Sequence, residues 1–530
     1  MTPTRHHPAT RGALAGLVSA ALLLGTASAV AAVVGRGSDP FLAVGDTVVR
    51  LSPPFLTSFA IETFGSYDKL VLFVGIGVVL AVVAALSGAL ATRRLAVGLA
   101  APVVLVLAAG AAVLASPGPT VVDLVPLLVG MVVGATAFVL LVRLAGAPAG
   151  RTGTDDARPA AEDDEGKPVT DSRRSPASRR LFLGLVGAGA AASAGLFAAG
   201  RVVSRTLRDA TASRAGLALP AASNTLPEAP AGAQLEGVGP FRTPNAEFYR
   251  VDTALTVPQV PAEEWVVRVH GLVDRPLELD WTALTTRFEV VDREITLVCV
   301  SNPVGGELAG NAVWRGIRLS DVLAEAGVDP RADMLLSTSV DGWTASTPLA
   351  SLVDTDDPLL AFAMNGEPLP FEHGFPVRMV VPGLYGYVSA TKWVVDLEVT
   401  TFAEDEAYWT PRGYAAEAPV KTASRIEVPA SFAQVPAGTA VVAGTAWHPG
   451  LGIDAVEVQV DDGEWQAAEL GEVPGPDTWR QWRYEWAAEP GQHTLRVRAT
   501  DADGEVQTDE RAEVAPDGSS GWHSVVVTVT

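Results

Sequence analysis

Five apolar runs constrain this chain more than any other feature of its sequence. They cover Ala13 to Val34, Leu70 to Ala91, Leu95 to Ala115, Val121 to Val142 and Leu181 to Ala199, each close to the ~20 helical residues that cross a hydrocarbon core. Hydrophobic residues make up 48% of the chain and the mean hydropathy is +0.27, too apolar for an average soluble protein. A membrane-embedded, multi-domain chain is expected. Residues 1–145 form a four-helix transmembrane region, and residues 179–200 supply a fifth span.

Basic residues orient the spans. Arg5 and Arg11 precede the first, Arg93 and Arg94 separate the second from the third, and Arg143, Arg151, Arg173, Arg174, Arg179 and Arg180 lie between the fourth and fifth. With five spans all three groups share one side, and cationic loops stay cytoplasmic. The expectation is a multi-pass cell-membrane protein with its N-terminus inside and everything after Ala199 extracytoplasmic. Ser178-Arg179-Arg180-Leu181-Phe182-Leu183 looks like an internal twin-arginine export signal; a plain basic stop at a helix end has the same composition. Residues 146–178, rich in Pro, Asp, Glu and Arg, read as a cytoplasmic linker. The Ala-, Pro- and Ser-rich stretch 201–235 reads as a flexible tether.

Charge separates the two halves. Residues 1–200 carry 15 Lys/Arg against 12 Asp/Glu, and residues 201–530 carry 23 against 48. So acidic a C-terminal part repels nucleic acid and anionic headgroups. Within it, residues 236–415 mix alternating strands, such as Trp265 to His270 and Glu294 to Cys299, with short helices, such as Leu319 to Ala326 capped by Ser320. That mixture implies an α+β domain. Residues 416–530 read as short strands between turns: Val456 to Val460, Asp461-Asp-Gly463, His493 to Arg498 and Asp501-Ala-Asp-Gly504, the pattern of a β-sandwich.

The chain has one cysteine, Cys299. A single thiol rules out an intramolecular disulfide, a CxxC zinc site, c-type haem attachment and an all-cysteine iron–sulfur cluster. The seven histidines are His6, His7, His270, His373, His448, His493 and His523, all outside the spans. No haem or iron–sulfur cluster is expected, so electrons are expected to pass to an external partner, a cytochrome or a quinone-linked protein. Taken blind, a cysteine at a strand end is a core thiol. Cys299, however, opens the Gly-rich loop Val300-Ser301-Asn302-Pro303-Val304-Gly305-Gly306, and further on stands His373-Gly-Phe-Pro-Val-Arg378-Met-Val-Val-Pro-Gly383, then Gly386, Ser389 and Lys392-Trp393.

These strings resemble the sulfite-oxidase family of molybdopterin enzymes, here in a membrane-anchored, actinobacterial-like form. The resemblance runs from Glu236 to the C-terminus. It implies a sulfite-oxidase-type molybdopterin domain followed by an immunoglobulin-like dimerisation domain, with molybdenum-molybdopterin as cofactor. The cysteine of the family's Thr-Leu-x-Cys-x-x-Asn motif supplies a thiolate to molybdenum, and Thr296-Leu-Val-Cys299-Val-Ser-Asn302 matches it. A soft thiolate suits such a metal. By the same resemblance His373 and Arg378 hold the pyranopterin, Ser389 and Lys392 lie near its phosphate, and Asn245, Phe248 and Tyr249 match a pterin-contacting Asn-x-x-Phe-Tyr motif. Tyr414, five residues after Trp409, matches the family's active-site tyrosine. Singly, His373 reads as a turn residue, Arg378 as a surface ion pair, Lys392 as a solvated strand residue and Tyr414 as core; their co-occurrence carries the functional reading.

One departure bears on the substrate. Sulfite and nitrate enzymes of the family follow the Asn with two arginines, where this chain has Pro303-Val304. That removes a bidentate oxyanion clamp, for which Arg412 or Arg315 are substitute sources of charge. The implied function is extracytoplasmic two-electron oxygen-atom transfer on a small molecule by a homodimer. The alternatives are a reductase of sulfoxides or related oxidised groups, and a metal-free membrane-tethered scaffold of the same fold.

Overall fold

The structure is a computed structural model, describing residues 8–53, 56, 59, 63–64, 67–116, 119–146, 176–207, 209–224, 226, 229–353 and 357–530. It divides into two compact units at Asp209/Ala210. In the first, the apolar runs form α1 (Pro8–Val34), α3 (Asp68–Ala91), α4 (Leu95–Leu114), α5 (Val125–Gly146) and α6 (Pro176–Leu207), with a shorter α2 (Pro40–Leu51) after α1. Five helical stretches are long and apolar enough to cross a membrane: Ala9–Val34, Lys69–Ala91, Leu95–Leu114, Val121–Ala145 and Arg180–Ser204. Helix α1 packs against α3, α5 and α6. Small residues let it approach: a Cβ at Gly16 would sit 1.9 Å from the Ala84 carbonyl oxygen. Helix α2 has a local cause in Asp39, whose carboxylate accepts from the Phe41 and Leu42 amides while Pro40 opens the first turn. Most of the linker expected at 146–178 lies outside the described residues.

In the second unit two sheets form the α+β part. One has strand order β2 (Leu277–Asp280), β1 (Val266–Gly271), β10 (Val394–Thr400), β5 (Met334–Ser339), β6 (Thr344–Pro348), and the other β3 (Val290–Val298), β4 (Ala309–Arg318), β7 (Leu359–Met364), β8 (Glu367–Pro368), with β9 (Arg378–Val380) on β7. Strands β3 (Val290–Val298) and β4 (Ala309–Arg318) are an antiparallel pair, so Cys299 opens the loop joining them. The helix at Leu319–Ala326 forms as expected, but its N-cap is Arg318, and the buried Ser320 hydroxyl has no hydrogen-bond partner among the described residues. Its C-terminus is closed by Gly327 at φ 72, a left-handed conformation that suits glycine.

Two further sheets, one of β11 (Ala423–Val428), β13 (Gly438–Trp447), β17 (Arg480–Ala488) and β16 (Glu469–Leu470), the other of β12 (Gln434–Val435), β19 (His523–Val529), β18 (Gly491–Asp501), β14 (Ile453–Val460) and β15 (Gln466–Ala467), enclose one core through Ile426, Trp482, Val458, Val497 and Val527. The expected alternation appears in β14 (Ile453–Val460), where Val456 and Val458 are buried and Glu457 and Gln459 are not.

The tether expected at 201–235 is corrected from residue 210 onward. Ala233 is fully buried in the main core, with Leu219, Ala222 and Ala229 packed against it. Arg214 donates to the carbonyls of Leu369 and Pro368 at 2.7 Å each, and Asn224 exchanges two hydrogen bonds with the Asp292 backbone. The stretch lacks a periodic pattern because its polar groups are satisfied by the domain it straps rather than by its own repeat.

Candidate active site

Cys299 follows the last residue of β3, and its loop is stitched shut at both ends. Its amide donates to the Leu308 carbonyl at 2.9 Å, and its carbonyl accepts from the Asn302 amide at 3.0 Å. The Asn302 carboxamide oxygen accepts from the Leu308 amide at 2.9 Å. Asn302 therefore braces the loop from within.

The thiol is buried, with 8% of the residue exposed. Burial pushes its pKa up, while the backbone N–H and hydroxyl of Ser301 and the charge of Lys392 oppose the rise. A buried thiol becomes a thiolate most readily when a cation compensates it. Burial raises the phenols of Tyr249, Tyr385 and Tyr414, and charge on Cys299 raises each further. Three tyrosines are thus within electrostatic reach of the sulfur. Tyr414 packs edge-on against Tyr387 and Trp409.

His373 ends a short turn, Phe371–His373. Its Nε2 lies 3.2 Å from the Asn245 carbonyl and its ring packs edge-on against Phe248, which stacks on Tyr249. Contact with a carbonyl assigns the proton to Nε2. Burial, then the charges of Arg378 and Lys392, push its pKa down to about 4, so the ring is neutral at physiological pH. The Asn245 carboxamide accepts from Asn365 at 2.9 Å and donates to the Met364 carbonyl at 3.2 Å.

Arg378, on β9 (Arg378–Val380), is buried. Its guanidinium donates to the carbonyls of Met379, His373 and Ala390 at 3.2, 3.1 and 3.4 Å and lies 5.0 Å from the Trp314 ring centre. Burial lowers its pKa to about 10. Among the described residues no carboxylate forms an ion pair with it, which corrects the surface-pair alternative. Lys392, whose side chain is 10% exposed, bonds the Asp252 carboxylate at 2.9 Å and the Glu372 carbonyl at 3.0 Å. Burial brings its pKa down to about 8, which corrects the solvated alternative. Trp393 stands at φ 51, and its Nε1 bonds the Phe371 carbonyl at 2.9 Å, which ties Lys392 to the His373 turn.

Cys299, Asn245, Phe248, Tyr249, His373, Arg378 and Lys392 are therefore joined by contacts or by mutual electrostatics. Ser389 is fully buried, and its hydroxyl donates to the Leu384 and Tyr385 carbonyls at 3.2 and 3.0 Å; a phosphate contact requires giving up those bonds. The substitute arginines are engaged elsewhere. Arg315 forms a two-pronged pair with Asp292 at 2.8 Å, and Arg412 lies 3.8 Å over the Tyr408 ring. Sequence reasoning missed Asp252, Tyr385 and Trp314. Tyr385 had a signal in its place between Gly383 and Gly386 within the recognised string; Asp252 had none.

Among the described residues, buried Arg378 and the nearly buried Lys392 ammonium have one carboxylate at ion-pair distance between them, that of Asp252, which Lys392 shares with the exposed Arg250. Such an excess favours an anionic group bound next to the thiol. Residues 254–409 match the family described as "Oxidoreductase molybdopterin binding domain". The chain is 32% identical over 347 residues to mitochondrial sulfite oxidase of Homo sapiens, covering 55% of this chain and 62% of that one. It is 36% identical over 151 residues to the uncharacterized oxidoreductase YuiH of Bacillus subtilis, covering 28% of this chain and 72% of the relative. The solved sulfane dehydrogenase SoxCD of Paracoccus pantotrophus aligns with a TM-score of 0.48 at 24% identity, over 58% of this chain and 90% of that one. The chain belongs to the sulfite-oxidase-type family of molybdopterin-dependent oxidoreductases. It spans less than two thirds of the human relative's length.

Proposed function

We propose that this chain is an extracytoplasmic molybdenum oxidoreductase that moves an oxygen atom, with two electrons, between water and a small substrate. The observation that carries the proposal is Cys299, a buried thiol within reach of the Lys392 charge and three tyrosines. The bound cofactor supplies the two-electron metal centre and its other sulfur ligands. Cys299 supplies the protein thiolate. Arg378 and Lys392 attract the anionic cofactor, neutral His373 offers hydrogen bonding without adding charge, and Tyr414 donates a proton or hydrogen bond to a reacting oxygen.

Five apolar helices and the basic loops between them support a multi-pass membrane protein with a cytoplasmic N-terminus. The Arg179-Arg180 pair near the start of α6 supports export of a folded, loaded domain. The two-sheet C-terminal part supports an immunoglobulin-like fold that pairs two copies. An external redox partner completes the electron path.

A reductase acting on an uncharged oxidised group has its own support. Pro303 and Val304 put no charge after Asn302, and Arg315 and Arg412 are engaged with Asp292 and the Tyr408 ring, a poor setting for sulfite or nitrate. Metal analysis tests the central claim. The full chain, purified in detergent from cells with an intact cofactor pathway, should contain about one molybdenum per chain, and Cys299→Ser should abolish turnover while remaining folded. Protein without molybdenum, or an active Cys299→Ser variant, would falsify it.

A further inference from the structure

The loop that presents Cys299 is held from outside by the C-terminal β-domain. Arg425, on β11 (Ala423–Val428), donates from Nη1 to the Gly306 carbonyl at 2.8 Å. The Ser519 hydroxyl donates to the Asn302 carbonyl at 2.7 Å. The His523 imidazole fills the space over Gly305, whose φ is +79, and a Cβ there would lie 2.2 Å from the ring. His523 Nδ1 in turn accepts from the Ile426 amide at 3.0 Å.

The strand leading into Cys299 is held from the same side. The Thr296 amide donates to the Asp477 carbonyl at 2.9 Å, and the Thr296 hydroxyl accepts from the Trp479 amide at 2.8 Å.

Arg425 is itself fixed. Its guanidinium is buried, paired with Glu427 at 2.6 Å, and lies 5.7 and 5.9 Å from the ring centres of Trp447 and Trp479. An arginine so confined has little rotamer freedom left, so its remaining N–H is aimed before the loop arrives.

We infer that Arg425 is a positioning residue for the metal-ligand loop, acting through Gly306 with Ser519 and His523, so that the C-terminal β-domain is a working wall of the active site as well as a pairing module. This rests on Cys299 being the molybdenum ligand. Hydrogen bonds from a charged donor to a buried carbonyl are among the stronger ones, and their loss lets a loop open locally without unfolding the domain.

The single cysteine makes this measurable without turnover. The full chain is purified in detergent from cells deprived of molybdate, and alkylation of Cys299 by iodoacetamide is followed by mass spectrometry. Arg425→Gln should speed alkylation roughly tenfold at a temperature well below its own thermal midpoint, and Arg425→Lys should restore much of the protection. Arg483→Gln, on β17 (Arg480–Ala488) of the same sheet, where the half-buried side chain pairs with Glu485 at 3.1 Å, should change nothing. The inference is overturned if Arg425→Gln alkylates within about twofold of the parent, or if Arg483→Gln accelerates it equally. Absence of molybdenum from the parent protein made with the cofactor pathway intact strikes at the proposed function and leaves the alkylation result unaffected.

Discussion

Lys392 Nζ lies 2.9 Å from Asp252 Oδ2, and Asp252 also pairs with Arg250 at 2.8 Å. One buried carboxylate thus serves two cations. Burial already draws Lys392 down to about 8, and Asp252 is the chief group opposing that fall. Asp252→Asn should push it lower still, so that less of the lysine is charged at neutral pH. Molybdenum content of the purified variant should fall severalfold at pH 8 and less at pH 6.5, where Lys392 is more fully protonated. Equal content at both pH values would sink the electrostatic account.

Arg378 tests the anion site from its other side. Lysine keeps the charge there but cannot serve three carbonyls 3.1 to 3.4 Å away from one ammonium. Arg378→Lys should weaken cofactor retention by about 2 kcal/mol, on the order of thirtyfold, the scale of charged hydrogen bonds. Metal retained after dialysis measures it, and retention like that of the parent would remove Arg378 from the site.

Tyr414 distinguishes a chemical role from a packing role. Its ring contacts with Tyr387 and Trp409 survive replacement by phenylalanine; only the phenol is lost. Tyr414→Phe should lower kcat roughly a hundredfold if the hydroxyl transfers or donates a proton, with a much smaller change in KM. A kcat within twofold of the parent reduces Tyr414 to a wall of the pocket.

The parts of this site that were legible in sequence are those set by local periodicity or contiguous motif. The apolar alternation of β3 brings Cys299 to a strand end, and the string from His373 to Lys392 folds back on itself within twenty residues. Asp252 and Arg425 were silent because their meaning lies in partners 140 and 119 residues away, and neither stands in a distinctive local pattern. The strap after Ala210 was misread for a related reason. Low hydrophobicity signals that a segment has no core of its own, and says nothing about the core it covers.

Asp477 yields a prediction about stability and pH. Burial, then the nearby Asp357 carboxylate, raise its pKa to about 7 from 3.8. A folded-state value above the unfolded one means that protonated Asp477 favours the fold. That contribution is full below about 4 and is lost as pH rises to about 7. Above 7 the chain holds a half-buried charge near Asp357, itself paired with Arg293 at 2.7 Å. Asparagine imitates the protonated form and leaves the backbone bond from Asp477 to Thr296 in place. Asp477→Asn should therefore raise the thermal midpoint at pH 8, by several degrees for a gain of about 2 kcal/mol, and raise it much less at pH 5. A gain of the same size at both pH values, or none at pH 8, would show that this carboxyl is not held in its neutral form by the fold.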